Sequence, residues 1–258
     1  MKSDSQKVVY YSDPLNNDFA GTDIKQKKIK DNYVFIHKNP LWYILEFVVY
    51  RIIATPLVTV FMKVAYGLKI KNRKVLRECK NQGYFLYGNH TSILSDAYAP
   101  TIISFIRKAF IIVNPDAISI PVIGHVIQML GGIPLPTSYA PMKNYMQAIS
   151  THIKNKQSIM IYPEAHLWPY CTFIRPFTEA SFGYAVRNEA PCFAVTTTYS
   201  KRAFLHTPKI TIYLDGPFYA DKNKSVSEQK KILRDVVYNT MCERAKNNSL
   251  EKIHYEVK

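Results

Sequence analysis

The sequence predicts an α/β fold with a largely parallel central sheet flanked by helices. Short apolar runs that suit buried strands occur at 84–87, 109–113 and 158–162. Apolar residues at helical spacing over 140–156 predict an amphipathic helix between the last two of these runs. Strands that alternate with helices are typical of a parallel sheet. A chain of 258 residues is long enough for one such domain with an appendage.

Three segments are expected along the chain. Residues 1–39 are polar without clear periodicity, which predicts a loosely ordered N-terminal arm unlike a signal peptide. Residues 40–68 are strongly apolar and predict a helical membrane-associating segment. Residues 69–258 carry the alternating pattern and form the expected α/β domain.

The apolar segment has the length of a membrane span, which needs roughly 20 residues. However, Glu46, Arg51 and Lys63 interrupt it, and Pro56 divides it. Charges at the centre of a bilayer are costly. We therefore expect two helices, joined at Thr55-Pro56, that lie in one leaflet. The alternative is a buried helical hairpin packed on the domain.

The C-terminal part continues the alternation. Residues 178–188 predict a helix, and residues 191–199 and 209–214 predict strands. Ser225 and Glu228 form a capping box at the start of a basic C-terminal helix. Four apolar residues are expected on the inward face of this helix: Ile232, Val236, Val237 and Met241.

Composition narrows the classes of partner. The 34 Lys and Arg residues exceed the 19 Asp and Glu residues, giving a net charge of +15. Such a surface attracts anionic lipids, acidic carriers or nucleic acid. No strand combines aromatic and basic residues in the way that RNA-binding strands do, so a nucleic-acid partner is not expected. The four cysteines lack the spacing of a metal site and indicate a reducing compartment.

The chemistry centres on the turn after the first apolar run of the domain, where His90 and Asp96 follow residues 84–87. An imidazole can remove a proton from a hydroxyl near neutral pH, and a carboxylate can fix its tautomer. The alternative is a polar turn in which Ser92 or Ser95 caps a helix. Ser92 lacks the Gly-x-Ser-x-Gly context of a hydrolase nucleophile.

Four blocks of residues follow one another along the chain. They are Asn89-His90 with Asp96, then Ile120-Pro121-Val122-Ile123-Gly124 with Gly131-Gly132-Ile133-Pro134, then Tyr162-Pro163-Glu164, and finally Arg175-Pro176-Phe177 with Ala190-Pro191-Cys192-Phe193-Ala194-Val195. In this order the blocks resemble the glycerolipid acyltransferase family, that of the 1-acylglycerol-3-phosphate acyltransferases. The resemblance covers roughly residues 41–215.

The resemblance implies acyl transfer from a thioester to a hydroxyl without an acyl-enzyme. It makes His90 the general base and Asp96 the residue that orients it. Backbone N–H groups at the following helix N-terminus would stabilise the tetrahedral oxyanion. No cofactor and no metal are implied. The implied substrate-binding residues are Asn89, Gly132, Ile133, Pro134, Glu164, His166 and Arg175.

The chain departs from the family pattern in two ways. Its motif has one residue more between His90 and Asp96, and Ser95 occupies the usual aspartate position. One extra residue rotates a side chain by about 100° on an α-helix, whereas a loop can absorb it. Arginines common in the family are replaced near Pro136 and at Leu167. Other cations are candidates to bind an acceptor phosphate: Arg175, Lys143, Lys201 and Arg202.

The sequence thus predicts a membrane-associated O-acyltransferase on the cytoplasmic face of a membrane. It would transfer a fatty acyl group from acyl-CoA or acyl carrier protein to a glycerolipid hydroxyl, such as that of 1-acylglycerol-3-phosphate. The expected partners are the membrane lipid surface, the acyl donor and the lipid acceptor. The alternatives are acylation of a non-phosphate lipid or glycolipid alcohol, and a non-catalytic lipid-binding relative.

Overall fold

The computed structural model describes residues 7–19, 28–105, 107–119 and 123–258. Its strands are β1 Lys7–Tyr11, β2 Lys69–Lys71, β3 Tyr84–Gly88, β4 Ala109–Val113, β5 Gly132–Pro134, β6 Ser158–Ile161, β7 Cys192–Ser200, β8 Lys209–Phe218 and β9 Ile253–Val257. Its helices are α1 Pro40–Phe47, α2 Thr55–Tyr66, α3 Ile93–Ile103, α4 Ile123–Met129, α5 Met142–Lys154, α6 Gly183–Arg187 and α7 Val226–Ala245.

A seven-stranded sheet in the order β2-β8-β7-β3-β6-β4-β5 forms the centre. The strands pair in parallel except for β7 and β8, which are antiparallel. Helices cover both faces, as a parallel sheet requires. The predicted α/β fold is therefore confirmed.

Alternate residues of β3 explain how both faces become buried. Phe85 and Tyr87 lie in one core cluster with residues of α5 and α7. Tyr84 and Leu86 lie in the other, with Met62 of α2 and residues of α3. Because side chains alternate along a strand, a continuous apolar run fills both layers at once.

The apolar segment forms one continuous helix over Pro40–Tyr66, which corrects the expectation of two helices joined at Thr55-Pro56. Proline lacks a backbone donor and its ring clashes with the carbonyl one turn earlier. A π-helical segment, Val48–Ala54, precedes the proline and absorbs this misfit. There Thr55 donates both its backbone N–H and its hydroxyl to the carbonyl of Tyr50.

Two of the charges that interrupt the apolar segment face the domain. Glu46 forms an ion pair with Lys108, and Arg51 donates to the carbonyl of Phe105. The Tyr50 hydroxyl accepts the N–H of Ala109 at 2.9 Å. These contacts fix the helix beside the start of β4, so the charges attach it to the protein.

The other side of this helix is apolar and exposed. Only 11% of its most apolar window is buried, so the alternative of a buried hairpin is not observed. The helix is long and apolar enough to cross a membrane by length and composition. Its exposed apolar residues, called here the apolar face, are Leu41, Ile44, Leu45, Phe47, Ile52, Ile53, Leu57, Val60, Phe61 and Val64.

Part of the N-terminal arm is ordered on the domain, which corrects the expected loose arm for residues 7–19. β1 pairs in parallel with β9 at the other end of the chain, from Lys7 opposite Ile253 to Tyr11 opposite Val257. No local pattern indicates this pairing, because its partner strand is distant in sequence. Residues 1–6 and 20–27 of the arm lie outside the described residues.

α7 begins at the predicted capping box. Ser225 Oγ accepts the Glu228 N–H at 3.3 Å, and Glu228 Oε2 accepts the Ser225 N–H at 3.0 Å. The buried row differs in part from the expected one, since Ile232 and Val236 are exposed. The row turned toward the sheet is Leu233, Val237, Met241 and Ala245.

A partly buried histidine on α5 makes the fold sensitive to acid. His152 stacks on Phe110, with ring centroids 3.7 Å apart, and its Nε2 has no hydrogen-bond partner among the described residues. Burial, followed by the charge of Lys108, lowers the pKa of His152 to about 4 from its ordinary 6.5. Below pH 6.5 the unfolded chain therefore binds a proton that the folded chain does not, until about pH 4 is reached.

We expect stability to fall by up to about 2 kcal/mol across this interval because of His152. His152→Gln should flatten the dependence, measured as urea midpoints at pH 7 and pH 5. His254→Gln, which changes a half-exposed histidine paired with Glu251, is the matched control. An unchanged slope in His152→Gln would assign the acid sensitivity to other groups.

Candidate active site

The candidate site lies where β3 ends and α3 begins. Gly88 closes the strand at a crowded point, because a Cβ there would lie 2.3 Å from Met160 Cε. Residues 89–92 then leave the sheet without regular structure, and Ser92 caps α3 by accepting the Ser95 N–H at 3.2 Å. The polar turn is therefore both a helix cap and the support of His90.

His90 and Asp96 are in direct contact, as the sequence predicts. His90 Nδ1 lies 2.7 Å from Asp96 Oδ2. The same carboxylate oxygen accepts the backbone N–H groups of Thr91 at 2.9 Å and Ser92 at 3.0 Å. The Asp96 side chain is 3% exposed, whereas that of His90 is 23% exposed. The carboxylate is thus fixed from several directions, and the imidazole remains accessible.

The extra residue of the motif is absorbed before the helix starts. Asp96 lies in the first turn of α3, and the irregular residues 89–92 bring His90 back over it. Ser95, at the usual aspartate position of the family, is fully buried, and its hydroxyl has no partner among the described residues. The departure in spacing therefore leaves the His–Asp contact intact.

Tyr162, from the third sequence block, supports the pair formed by His90 and Asp96. Its ring stacks on the His90 imidazole with centroids 4.6 Å apart and planes 19° apart. Its hydroxyl donates to the Asp96 backbone carbonyl at 2.6 Å. Tyr162 follows β6, the parallel neighbour of β3, so its position follows from the sheet order. The ring fixes the orientation of the imidazole from one side.

Glu164 joins the His90 turn to the loop that carries Arg175. Its Oε2 accepts the His90 N–H at 3.0 Å and Arg175 Nη2 at 3.0 Å. Its Oε1 accepts the Arg175 N–H at 3.0 Å. Glu164 is 3% exposed and Arg175 is fully buried. The expected direct contact with a substrate is therefore not available to either side chain in this structure.

In the buried pair, the effect of burial on Glu164 is only partly offset by its partners. Burial raises the pKa of the Glu164 carboxyl above its ordinary value. The Arg175 guanidinium and the backbone N–H groups of His90 and Arg175 act in the opposite direction. The guanidinium also lies 4.8 Å from the ring centre of Trp168. Arg175 thus compensates a carboxylate that holds the His90 backbone.

Asn89 also turns away from the solvent. Its side chain accepts the Thr197 N–H at 2.8 Å and donates to the Thr197 carbonyl at 3.1 Å. Since Asn89 is buried and bonded to β7, it anchors the turn to the sheet. The backbone carbonyl of His90 accepts the Trp168 N–H at 3.1 Å, which fixes the turn on its other side.

The ordered N-terminal segment reaches the same region, which the sequence did not indicate. Trp168 is fully buried, and its indole donates to the Asn17 carbonyl at 2.8 Å. The rings of Tyr11, Phe19 and Tyr255 surround it. The expected substrate-binding residue His166 is part of this region, with Nδ1 3.4 Å from Asp18 Oδ2.

The second block lies apart from the His–Asp pair. Gly132, Ile133 and Pro134 form the edge strand β5, which β6 and β4 separate from β3. At the usual strand spacing this is roughly 14 Å away. Gly132 is packed against α4, since a Cβ there would lie 2.5 Å from Ile127 Cγ2. The residues at 120–122 lie outside the described part of the chain.

The arrangement suits proton abstraction from a hydroxyl. Asp96 accepts from Nδ1, so the other nitrogen, Nε2, carries the free lone pair that a base requires. No described residue hydrogen-bonds to Nε2. Because Asp96 is held by backbone donors, it can stabilise an imidazolium without moving.

Comparisons with known proteins identify a matching family and a similar fold. Residues 67–198 match the family model described as acyltransferase, just over half of the chain. No curated protein sequence matches the chain. The fold is similar to the crystal structure of PlsC, the 1-acyl-sn-glycerophosphate (LPA) acyltransferase of Thermotoga maritima. The TM-score is 0.56 at 18% identity, over 81% of this chain and 89% of that one.

Proposed function

Because this chain belongs to the acyltransferase family, we propose that it transfers a fatty acyl group from a thioester to a glycerolipid hydroxyl. The observation that carries the proposal is the 2.7 Å contact between His90 and a buried, backbone-bonded Asp96. The similar crystal structure is that of a 1-acyl-sn-glycerophosphate acyltransferase, which supports the choice of acceptor class.

In the proposed reaction the oxygen of the acceptor hydroxyl bonds to the thioester carbonyl carbon. At the same time His90 Nε2 takes the proton from that hydroxyl. The tetrahedral intermediate then breaks the carbon–sulfur bond. The imidazolium returns the proton to the departing thiolate. Asp96 holds the ring and stabilises its positive charge throughout. General acid–base catalysis of this kind contributes about 10²–10⁴-fold.

The first turn of α3 supplies the proposed oxyanion donors. The leading N–H groups of a helix have no acceptor within it. Asp96 accepts the Ser92 N–H and Ser92 Oγ accepts the Ser95 N–H. The N–H groups of Ile93 and Leu94, the first two of α3, remain as proposed donors to the oxyanion.

The apolar face of the helix over Pro40–Tyr66 supports membrane association. A bilayer would cover side chains that otherwise contact water, and it holds the lipid acceptor. The four cysteines are free, which favours the cytoplasmic face, where thiols stay reduced. The net charge of +15 favours an anionic donor, acyl-CoA or acyl carrier protein.

The alternative acceptor is a lipid or glycolipid alcohol without a phosphate. Leu167, at a position where the family commonly has arginine, is buried. Arg175 is fully buried beside Glu164, and Arg202 donates to the carbonyls of Val64 and Ala65. Of the other candidate cations, Lys143 and Lys201 are exposed. These observations favour an acceptor phosphate that is bound by lysine side chains, or an acceptor without a phosphate.

The test is acyl transfer by the purified chain in mixed micelles. Labelled acyl-CoA or acyl carrier protein is paired with 1-acylglycerol-3-phosphate, neutral lysolipids, monoacylglycerol and a glycolipid alcohol. We expect labelled diacyl product from 1-acylglycerol-3-phosphate. Faster labelling of an uncharged alcohol would select the alternative acceptor. Absence of label in every acceptor with both donors would contradict the proposed function.

A further inference from the structure

The hairpin between β7 and β8 extends beyond the end of the sheet where β3 finishes and the His90 turn begins. Val195 of β7 lies opposite Gly88, the last residue of β3. β7 then continues to Ser200, which lies opposite Lys209 of β8. Five further residues of strand span roughly 16 Å. The hairpin tip, residues 201–206, therefore protrudes from the same end of the sheet as the candidate active site.

The tip is apolar at its centre and basic at its sides. Phe204 is 97% exposed and Leu205 is 51% exposed. They are flanked by Lys201, Arg202 and His206. Adjacent large apolar side chains with so much exposed surface indicate a contact that covers them.

The tip is attached to the end of the apolar helix. Arg202 Nη1 donates to the carbonyls of Val64 at 3.1 Å and Ala65 at 2.7 Å. Thr207 Oγ1 donates to the Ala65 carbonyl at 2.6 Å. The apolar face ends at Val64, which is 68% exposed. The tip therefore continues the apolar face at its C-terminal end.

Four cations crowd this junction: Lys69, Lys71, Arg202 and Lys209. A Cβ at Gly67, which ends α2, would lie 3.6 Å from Lys209 Cγ and 3.7 Å from Arg202 Cζ. The charge of Lys69, more than any other cause, lowers the pKa of Lys209, and Lys71 and Arg202 add to the effect. Within the described residues no carboxylate pairs with any of the four cations. Uncompensated charges of one sign attract an anion.

We infer that the hairpin tip and the four cations form a second bilayer contact, which binds anionic phospholipid headgroups while Phe204 and Leu205 enter the acyl-chain region. This inference rests on the membrane association proposed above and adds a preference for anionic lipid. Because the tip and His90 lie at the same end of the sheet, the contact would hold the active site against the bilayer surface.

The position of the tip is tested with an environment-sensitive fluorophore on Phe204→Cys in a Cys242→Ser background, since the other three cysteines are buried. Vesicles contain phosphatidylcholine alone or with phosphatidylglycerol. We expect a blue shift and quenching by spin-labelled lipids. The matched control is Val226→Cys, which is exposed on the opposite layer of the domain and should show neither effect.

The headgroup preference is tested with Lys69→Gln combined with Lys209→Gln. Each cation near an anionic surface contributes about fivefold to binding, so the ratio of anionic to neutral vesicle binding should fall by about 25-fold. Lys224→Gln combined with Lys231→Gln on the α7 side removes equal charge and should leave the ratio nearly unchanged.

Three results would overturn the inference. The label at position 204 could stay in water while the protein binds vesicles. The Lys69 and Lys209 variant could keep the full anionic preference. It could also raise only the KM for the acyl donor, which would assign these cations to the donor. Failure of the wild-type chain to bind either vesicle would contradict membrane association itself.

Discussion

His90→Gln is expected to lower kcat for acyl transfer by about 10²–10⁴-fold, because the acceptor hydroxyl loses its base. Asp96 keeps its backbone donors at Thr91 and Ser92, so the fold should not depend on the imidazole. The variant should unfold at nearly the wild-type temperature. The measurement is the initial rate of labelled product at saturating acceptor, with thermal unfolding recorded on the same sample.

His125→Gln is the matched control, because His125 is an exposed histidine on α4 and belongs to neither the His90 turn nor α3. Its rate should stay near that of the wild type. A His90→Gln enzyme that retains full kcat would remove the imidazole from the mechanism. A large fall in its unfolding temperature would instead assign His90 a structural role.

Arg175→Met is expected to destabilise the fold by about 3–5 kcal/mol, since it leaves the Glu164 carboxylate buried without its partner. The same loss should displace the backbone of His90, which Glu164 holds at 3.0 Å, and so reduce kcat. Adding Glu164→Gln to this variant should recover much of the stability, because no buried charge remains. Urea unfolding of the single and double variants measures both effects.

Lys222→Met is the control for this experiment. It breaks an ion pair with Glu189 in which both side chains are mostly exposed, and it should cost less than about 1 kcal/mol. If Arg175→Met cost as little, Glu164 and Arg175 would not form the buried link described here. If Glu164→Gln failed to recover stability, the loss would come from packing against Trp168 rather than from the unpaired charge.

The parts of the fold that the sequence predicts correctly depend on short-range patterns. The apolar runs of β3, β4 and β6 identify the sheet because strands buried on both faces need no alternation. The His90–Asp96 contact was predictable because the two residues are only six positions apart, on either side of the start of α3. The capping box of Ser225 and Glu228 is local for the same reason.

The parts that escaped prediction depend on contacts between distant residues. Arg175 and Glu164 are visible as charged residues in the sequence, but only the fold shows that they form a buried ion pair. The pairing of β1 with β9 joins the two ends of the chain. In the sequence Glu46 interrupts the apolar segment, whereas in the structure it forms an ion pair with Lys108 of the domain.

In the proposed reaction His90 and Asp96 act as one unit in acylating a lipid hydroxyl. The decisive measurement is the rate of labelled acyl transfer to 1-acylglycerol-3-phosphate for wild type, His90→Gln, Asp96→Asn and the double variant. Groups that act as a unit lose activity non-additively. We expect the double variant to be no slower than His90→Gln alone. Losses that multiply, or a double variant as fast as wild type, would contradict it.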